Sequence, residues 1–347
     1  MTTFVRPSVA AIHAYVPGEQ PQGSGWVKLN TNENPYPPSP RVVDAIRAAA
    51  GADLRLYPDP VAGALRRRAA AVYGVDVDGI LVGNGSDELL SLLVRAVVAP
   101  GTRVAYPTPT YSLYDTLVSI EDGVVVTEPF GPDFLLPDNL AALDARLTFI
   151  CHPNAPSGVA IGIDRIRALA QASAGVVVVD EAYVDFGGES AMPLVREFDN
   201  VVVLRTFSKS FSLAGMRVGL AFGPPALVQD IARIKDSYNV DRLALVAAEA
   251  ALEDYAWMEA NVAKVVATRA TLTAALRQRG FAVLDSATNF VLARRPGVDQ
   301  AETHRRLKEK RVLVRHFATA GLADALRITV GTDDEVAALL AALDALA

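Results

Sequence analysis

Apolar positions along the chain fall into two textures. Short runs at 80–82, 103–106, 124–128, 147–151, 176–179, 201–205 and 218–222 are apolar almost throughout, without the polar alternation of a half-exposed strand. Between several of them lie segments, such as 88–98 and 165–174, whose apolar residues recur at helical spacing. Strands apolar on both faces suit a sheet covered on both sides. Their alternation with helices predicts an α/β domain with a mostly parallel central sheet sandwiched by helices.

After Pro224-Pro225 the texture changes. A long helical region runs from about 226 to 278, broken near Ser237-Tyr238-Asn239. It is followed by short strands at 281–284, 289–293, 312–314 and 327–330, with helices at 299–310 and 333–346. This reads as a smaller α+β domain. Residues 1–40 are rich in Pro, Gly and Asn and read as an extended arm that also joins the small domain. The division expected is therefore an arm over 1–40, a large domain over 41–235 and a small domain over 236–347.

Composition narrows the classes. Half of the 347 residues are hydrophobic, the net charge is −6, and acidic and basic residues are mixed without a long basic block. That pattern argues against nucleic acid or an anionic membrane as partner. No apolar run is long enough to cross a bilayer, and the start has no apolar signal core. The single cysteine, Cys151, forms no intramolecular disulfide and agrees with a cytoplasmic home. It reads as a small buried hydrophobe at a strand end, because His152 beside it points to the opposite face. His13, His152, His304 and His316 have no ligand spacing and read as surface or supporting histidines, so no metal is expected.

In parallel sheets ligands bind beyond the carboxyl ends of the strands. After 80–82 stands Gly83-Asn84-Gly85-Ser86-Asp87-Glu88, a turn with free N–H groups and Ser86 as the expected helix cap, suited to an anion. A plain capped helix is the simpler alternative. After 176–179 stands Asp180-Glu181-Ala182-Tyr183, where a carboxylate at the edge of a buried region needs a partner such as a protonated ring nitrogen, or else caps the next helix. After 201–205 stands Thr206-Phe207-Ser208-Lys209, with Arg217 eight residues further on. A lone lysine is usually a solvated surface charge, but one among hydroxyls and aromatics at a strand end suits a Schiff-base amine. Tyr111, after 103–106, can lie on a planar ring or anchor its loop. Together these are the groups that pyridoxal phosphate requires.

The order and spacing of these segments resemble fold-type-I aminotransferases, and most closely the histidinol-phosphate aminotransferase family. The resemblance runs from Asn30-Thr31-Asn32-Glu33-Asn34-Pro35-Tyr36 to Leu326-Arg327-Ile328-Thr329-Val330-Gly331-Thr332. Val314-Arg315-His316-Phe317 and the closing segment carry the subfamily likeness. It implies that Lys209 holds the cofactor covalently and moves a proton, Asp180 faces the pyridine nitrogen, and Tyr183 faces the phenolic oxygen. It further implies that Tyr111 stacks on the ring, and that Ser86, Asp87, Ser208 and Arg217 hold the phosphate. Tyr57 resembles the tyrosine that reaches the neighbouring site of a homodimer. Arg327, Arg315 and Asn34 would bind the amino donor and the 2-oxo acid acceptor, Arg315 taking a distal phosphate. The sequence departs from the family at Pro153-Asn154-Ala155-Pro156, where relatives carry a second Asn. Asn154 is the candidate replacement, and Tyr183 acting alone is the alternative. An aromatic amino-acid aminotransferase and a threonine-phosphate decarboxylase share these motifs. A non-enzymatic regulator of this type would need a DNA-binding region, and no basic recognition helix is present.

Overall fold

The computed structural model describes residues 4–12, 18–319 and 321–346. The first strand, β1 (Val27–Lys28), belongs to the small unit. The seven that follow are β2 (Ile80–Asn84), β3 (Arg103–Thr108), β4 (Val124–Pro129), β5 (Leu147–Cys151), β6 (Val176–Asp180), β7 (Val201–Thr206) and β8 (Val218–Phe222). They form one sheet in the order β2-β8-β7-β6-β5-β3-β4. β8 runs antiparallel to both its neighbours and the other pairings are parallel, so the sheet is mostly parallel as expected.

The run of apolar residues in each central strand follows from its two covered faces. Every residue of β5, β7 and β8 is buried, whereas the edge strand β4 alternates partly exposed positions. One face packs Val177, Val179, Val201 and Val203 under the helix Arg242–Glu253. The other packs Val178, Val202 and Leu204 under the helix Gly85–Val97.

The smaller unit is an antiparallel sheet, β12-β13-β10-β9, made from β9 (Ala282–Val283), β10 (Phe290–Arg294), β12 (Arg315–His316) and β13 (Ala325–Thr329). Beside it β1 pairs in parallel with β11 (Val312–Leu313). The helices Tyr255–Gln278 and Asp333–Asp344 share its core. The latter begins at Thr332 with a reciprocal capping box to Glu335.

Two expectations are corrected. The first residues are not simply extended: Pro7–Ala10 is a helical turn, Arg6 bonds to Asp122 and the Ile120 carbonyl, and β1 is a strand. The expected boundary at 235/236 falls inside one packed unit, since Val240, Ala244 and Ala251 lie in the core of the large sheet. The helical segment after 235 turns back onto that sheet because its small alanines let it approach closely. His152 is the supporting kind of histidine rather than a surface one: it is fully buried, its Nδ1 accepting from the Ile161 N–H and its Nε2 lying 2.7 Å from the Glu189 carbonyl. Cys151 is buried, as expected of a small hydrophobe, and burial pushes its thiol far above the ordinary range. Among the described residues no group of His, Cys, Asp and Glu is placed to hold a metal, and no helix is long and apolar enough to cross a membrane. His13 lies outside those residues.

Phe149 is fully buried and stacks on Tyr114 with ring centroids 4.6 Å apart. Phe149→Ala is expected to lower stability by roughly 3–5 kcal/mol, the usual loss for emptying such a site, measured as a fall in the urea midpoint at unchanged slope.

Candidate active site

The turns beyond β2, β3, β6 and β7 converge at the carboxyl edge of the large sheet. Asp180 ends β6 and is buried. Its Oδ2 accepts from the Tyr114 hydroxyl at 2.9 Å and its Oδ1 from the Ala182 N–H at 3.2 Å. Burial nevertheless dominates and pushes the carboxyl up to about 6. A buried carboxylate that resists its own charge is stabilised by a cation placed against it.

Lys209 follows β7. Its Nζ is 3.5 Å from the Thr31 carbonyl and 5.7 Å from the centre of the Tyr183 ring. Burial, reinforced by the positive field of Arg327, brings its amine down to about 8. Tyr183 is held by Asn32, whose Nδ2 donates to the phenolic oxygen at 3.0 Å. Burial raises that phenol to about 12.

The turn after β2 forms a third corner. The helix Gly85–Val97 starts two residues earlier than expected, with Asn84 at the cap and no side-chain cap bond. Ser86 is therefore the second residue of the helix and not its cap. Its N–H belongs to the first turn, where no helical carbonyl is available. Arg217 lies across this turn: Nη1 donates to Ser208 Oγ at 3.2 Å and to the Ala214 carbonyl at 3.1 Å, while Nη2 is 3.5 Å from Asp87 Oδ2. The Tyr111 hydroxyl donates to the other Asp87 oxygen at 3.1 Å, and its ring meets Tyr114 edge-on at 5.6 Å.

Two glycines keep this corner open. A Cβ on Gly85, at φ 79°, would come within 2.6 Å of Arg217 Nη2. One on Gly219 would meet the Ser86 nitrogen at 2.6 Å. The opening, the helix N-terminus and the guanidinium fit a phosphate. With the buried carboxylate, amine and phenol, the residues present suit the cofactor that the sequence suggested.

The small unit closes the fourth side. Arg315 on β12 and Arg327 on β13 are direct cross-strand partners. Their guanidinium carbons lie 5.7 and 5.6 Å from the Phe317 ring, and Arg327 also covers Phe290 at 5.2 Å. Arg327 donates to the Asn30 carbonyl at 3.1 Å.

Two expected residues bond within the protein here. Asn154 is buried, and its amide donates to the Pro109 carbonyl and to Ser157 Oγ while its oxygen accepts from Thr110. Both its N–H groups are thus used inside the loop, and the hydroxyl of Tyr183 is met by Asn32 instead. Asn34 donates to the carbonyls of Lys209 and Ser210 at 3.1 and 3.2 Å, so it holds the lysine's own backbone. Tyr57 is 76% exposed, outside this cluster, and stacks on Tyr238 at 4.3 Å.

Sequence reasoning missed Asn32 and Tyr114. Asn32 sits at φ 57°, a conformation that favours Asn among non-glycines, within an Asn-rich stretch that signalled it weakly. Nothing in the local pattern marked Tyr114, which becomes informative only once the fold brings its hydroxyl to Asp180.

The fold and this cluster define the class: a fold-type-I aminotransferase, with a buried amine, a buried carboxylate and an open helix N-terminus at one sheet edge. The family described as aminotransferase class I and II matches residues 24–343. Histidinol-phosphate aminotransferase 1 of Trichormus variabilis is 47% identical over 345 residues, 99% of each chain. Histidinol-phosphate aminotransferase 2 of Rhizobium meliloti is 47% identical over 348 residues, again 99% of each. The solved histidinol-phosphate aminotransferase of Sinorhizobium meliloti, in complex with pyridoxal-5'-phosphate, superposes with a TM-score of 0.91 at 29% identity, covering 100% of this chain and 99% of that one. The chain belongs to the class I and II aminotransferases, and within them to the histidinol-phosphate aminotransferase family.

In the cofactor-free protein the Lys209 amine is expected to react with an acylating reagent with a pH midpoint near 8, against about 10.4 for exposed lysines. Because the positive charge of Arg327 helps hold that value down, Arg327→Leu should move the midpoint upward. Peptide-resolved labelling across pH reads both; a wild-type midpoint like that of the surface lysines would refute the assignment.

Proposed function

We propose that the chain moves an amino group between L-histidinol phosphate and 2-oxoglutarate, with pyridoxal 5'-phosphate held on Lys209. The observation that carries this is the pair Arg315 and Arg327, side by side on one small-unit sheet, with the charge of Arg327 reaching the buried lysine. One guanidinium suits a carboxylate and the other a distal phosphate, each by a bidentate grip. The high identity to enzymes of that name supports the same substrate.

Bound cofactor supplies an electron sink that acidifies the substrate's α C–H bond. The chain supplies the rest. Asp180 keeps the ring nitrogen protonated, since a cation against this buried carboxylate reverses the effect of burial and restores its charge. Tyr183, steadied by Asn32, donates to the phenolic oxygen. Tyr111 would cover the ring. The N–H groups of Ser86 and Asp87, with Ser208 and Arg217, would hold the phosphate. Lys209 Nζ, partly uncharged near neutral pH, takes the proton from the substrate carbon and returns it.

Histidinol phosphate carries no α-carboxylate and glutamate does, so Arg327 and Arg315 exchange roles between the two half-reactions. The assembly is a homodimer in which Tyr57 reaches the neighbouring site, a reading supported by that ring's exposure together with that of Leu54, Leu56 and Val61 nearby in the chain. A cytoplasmic location accompanies it, supported by the single buried thiol.

Single-turnover absorbance tests the substrate. Conversion of the yellow lysine-bound form by histidinol phosphate and by glutamate is expected. Conversion by glutamate and phenylalanine alone would move the substrate to aromatic amino acids, and release of carbon dioxide from phosphothreonine would move the reaction to decarboxylation. Lys209→Ala should abolish turnover yet keep some cofactor through the phosphate corner, measured by equilibrium dialysis. In Arg327→Leu the glutamate half-reaction should weaken by about 1.5–3 kcal/mol in kcat/KM, the worth of a hydrogen bond to a charged group. Unchanged glutamate kinetics would show that Arg327 does not clamp the carboxylate.

A further inference from the structure

On the face of the large sheet away from Asp180 and Tyr114 lies a second buried charge cluster that the chemistry above does not use. Arg205 is the last residue but one of β7 and is only 8% exposed. Its Nη1 donates to Asp185 Oδ1 at 2.6 Å, its Nε lies 2.9 Å from Glu181 Oε2, and its guanidinium sits 5.4 Å from the Tyr73 ring. Glu181 is also held by the Ala191 N–H and by Ser190 Oγ.

One guanidinium and two carboxylates removed from water form a costly arrangement. Well-packed apolar side chains in their place would often be as stable or more so. Stability alone therefore does not account for the cluster, but its connections do. Glu181 is the residue next to Asp180 in the chain. Ser210, the residue next to Lys209, donates its hydroxyl to the second Asp185 oxygen at 2.5 Å. From the opposite side Asn34 donates to the carbonyls of Lys209 and Ser210. The backbone that carries the lysine is thus fixed between Asn34 and Asp185, and Asp185 is fixed by Arg205.

We infer that Arg205 and Asp185 form a buried clamp that, through Ser210, sets the position of Lys209 relative to Asp180. They are positioning residues and touch neither substrate nor cofactor. The inference rests on Lys209 and Asp180 being the working groups. A misplacement of about 1 Å in such a constellation lowers rate strongly while leaving substrate affinity largely intact.

The deciding variant is Ser210→Ala, which removes only the hydroxyl link and leaves the ion pairs in place. In the cofactor-free protein, amide hydrogen exchange at 207–213 should quicken by roughly ten- to a hundredfold, the range set by one hydrogen bond to a charged acceptor. Exchange in β6 should not change. In the holoenzyme kcat with histidinol phosphate should fall by a similar factor with little change in KM. Ser210→Thr, which restores the hydroxyl, should recover both readouts. Arg205→Lys keeps the charge but not the two-carboxylate reach, and should reproduce the Ser210→Ala pattern; if that variant does not fold, Ser210→Ala still decides. Wild-type exchange and wild-type kcat in Ser210→Ala would overturn the clamp, as would a loss in Ser210→Thr equal to that in Ser210→Ala. Faster exchange in a protein that does not turn over histidinol phosphate would instead leave the clamp standing and refute the substrate.

Discussion

An amine and a carboxylate are buried at the same sheet edge, and burial opposes the charge of each. Lys209 is brought down to about 8 and Asp180 up to about 6, both chiefly by loss of water. The rest of the structure can be understood as what makes that double burial tolerable. Tyr114 and the Ala182 N–H support the carboxylate, while the Thr31 carbonyl and the glutamate at position 33 support the amine against Arg327 and Arg217. Groups with pKa values displaced toward neutrality by environment are what proton transfer at neutral pH requires.

The two sheets meet through a few polar residues. Asn32 accepts from and donates into this junction: its N–H reaches Thr329 Oγ1 at 3.0 Å, its oxygen takes that hydroxyl at 3.2 Å, and its carbonyl accepts from Asn289. Thr329 and Arg327 lie two apart on β13, hence on one face of that strand. The arm thereby ties the guanidinium of Arg327 to the phenol of Tyr183, which Asn32 also holds. A small shift of the small unit would move both together.

Much of the architecture was legible because the central strands have no polar face to hide. An all-valine run at 176–179 can only be covered on both sides, and a carboxylate placed directly after it must lie at the edge of that cover. Gly83-Asn84-Gly85 similarly announced a turn, whereas the close approach at Gly219 shows only in the folded chain. The helix start was misread by two residues because Ser86 has the chemistry of a cap, while the chain at Gly85 had already entered a conformation that glycine adopts freely.

The sequence by itself determined the two-layer cover of the sheet, the strand ends at which chemistry collects and the residue types that collect there, since hydrophobic period and local turn chemistry are properties of neighbours in the chain. Only the tertiary structure decided which of those residues meet. Asn32 finds Tyr183 across 151 positions, Tyr114 finds Asp180 across 66, and Asn154 turns its amide into its own loop. A hydrogen bond between distant segments depends on how helices and sheets dock to within an ångström. That is set by the packing of the whole interior and leaves no mark in the local pattern.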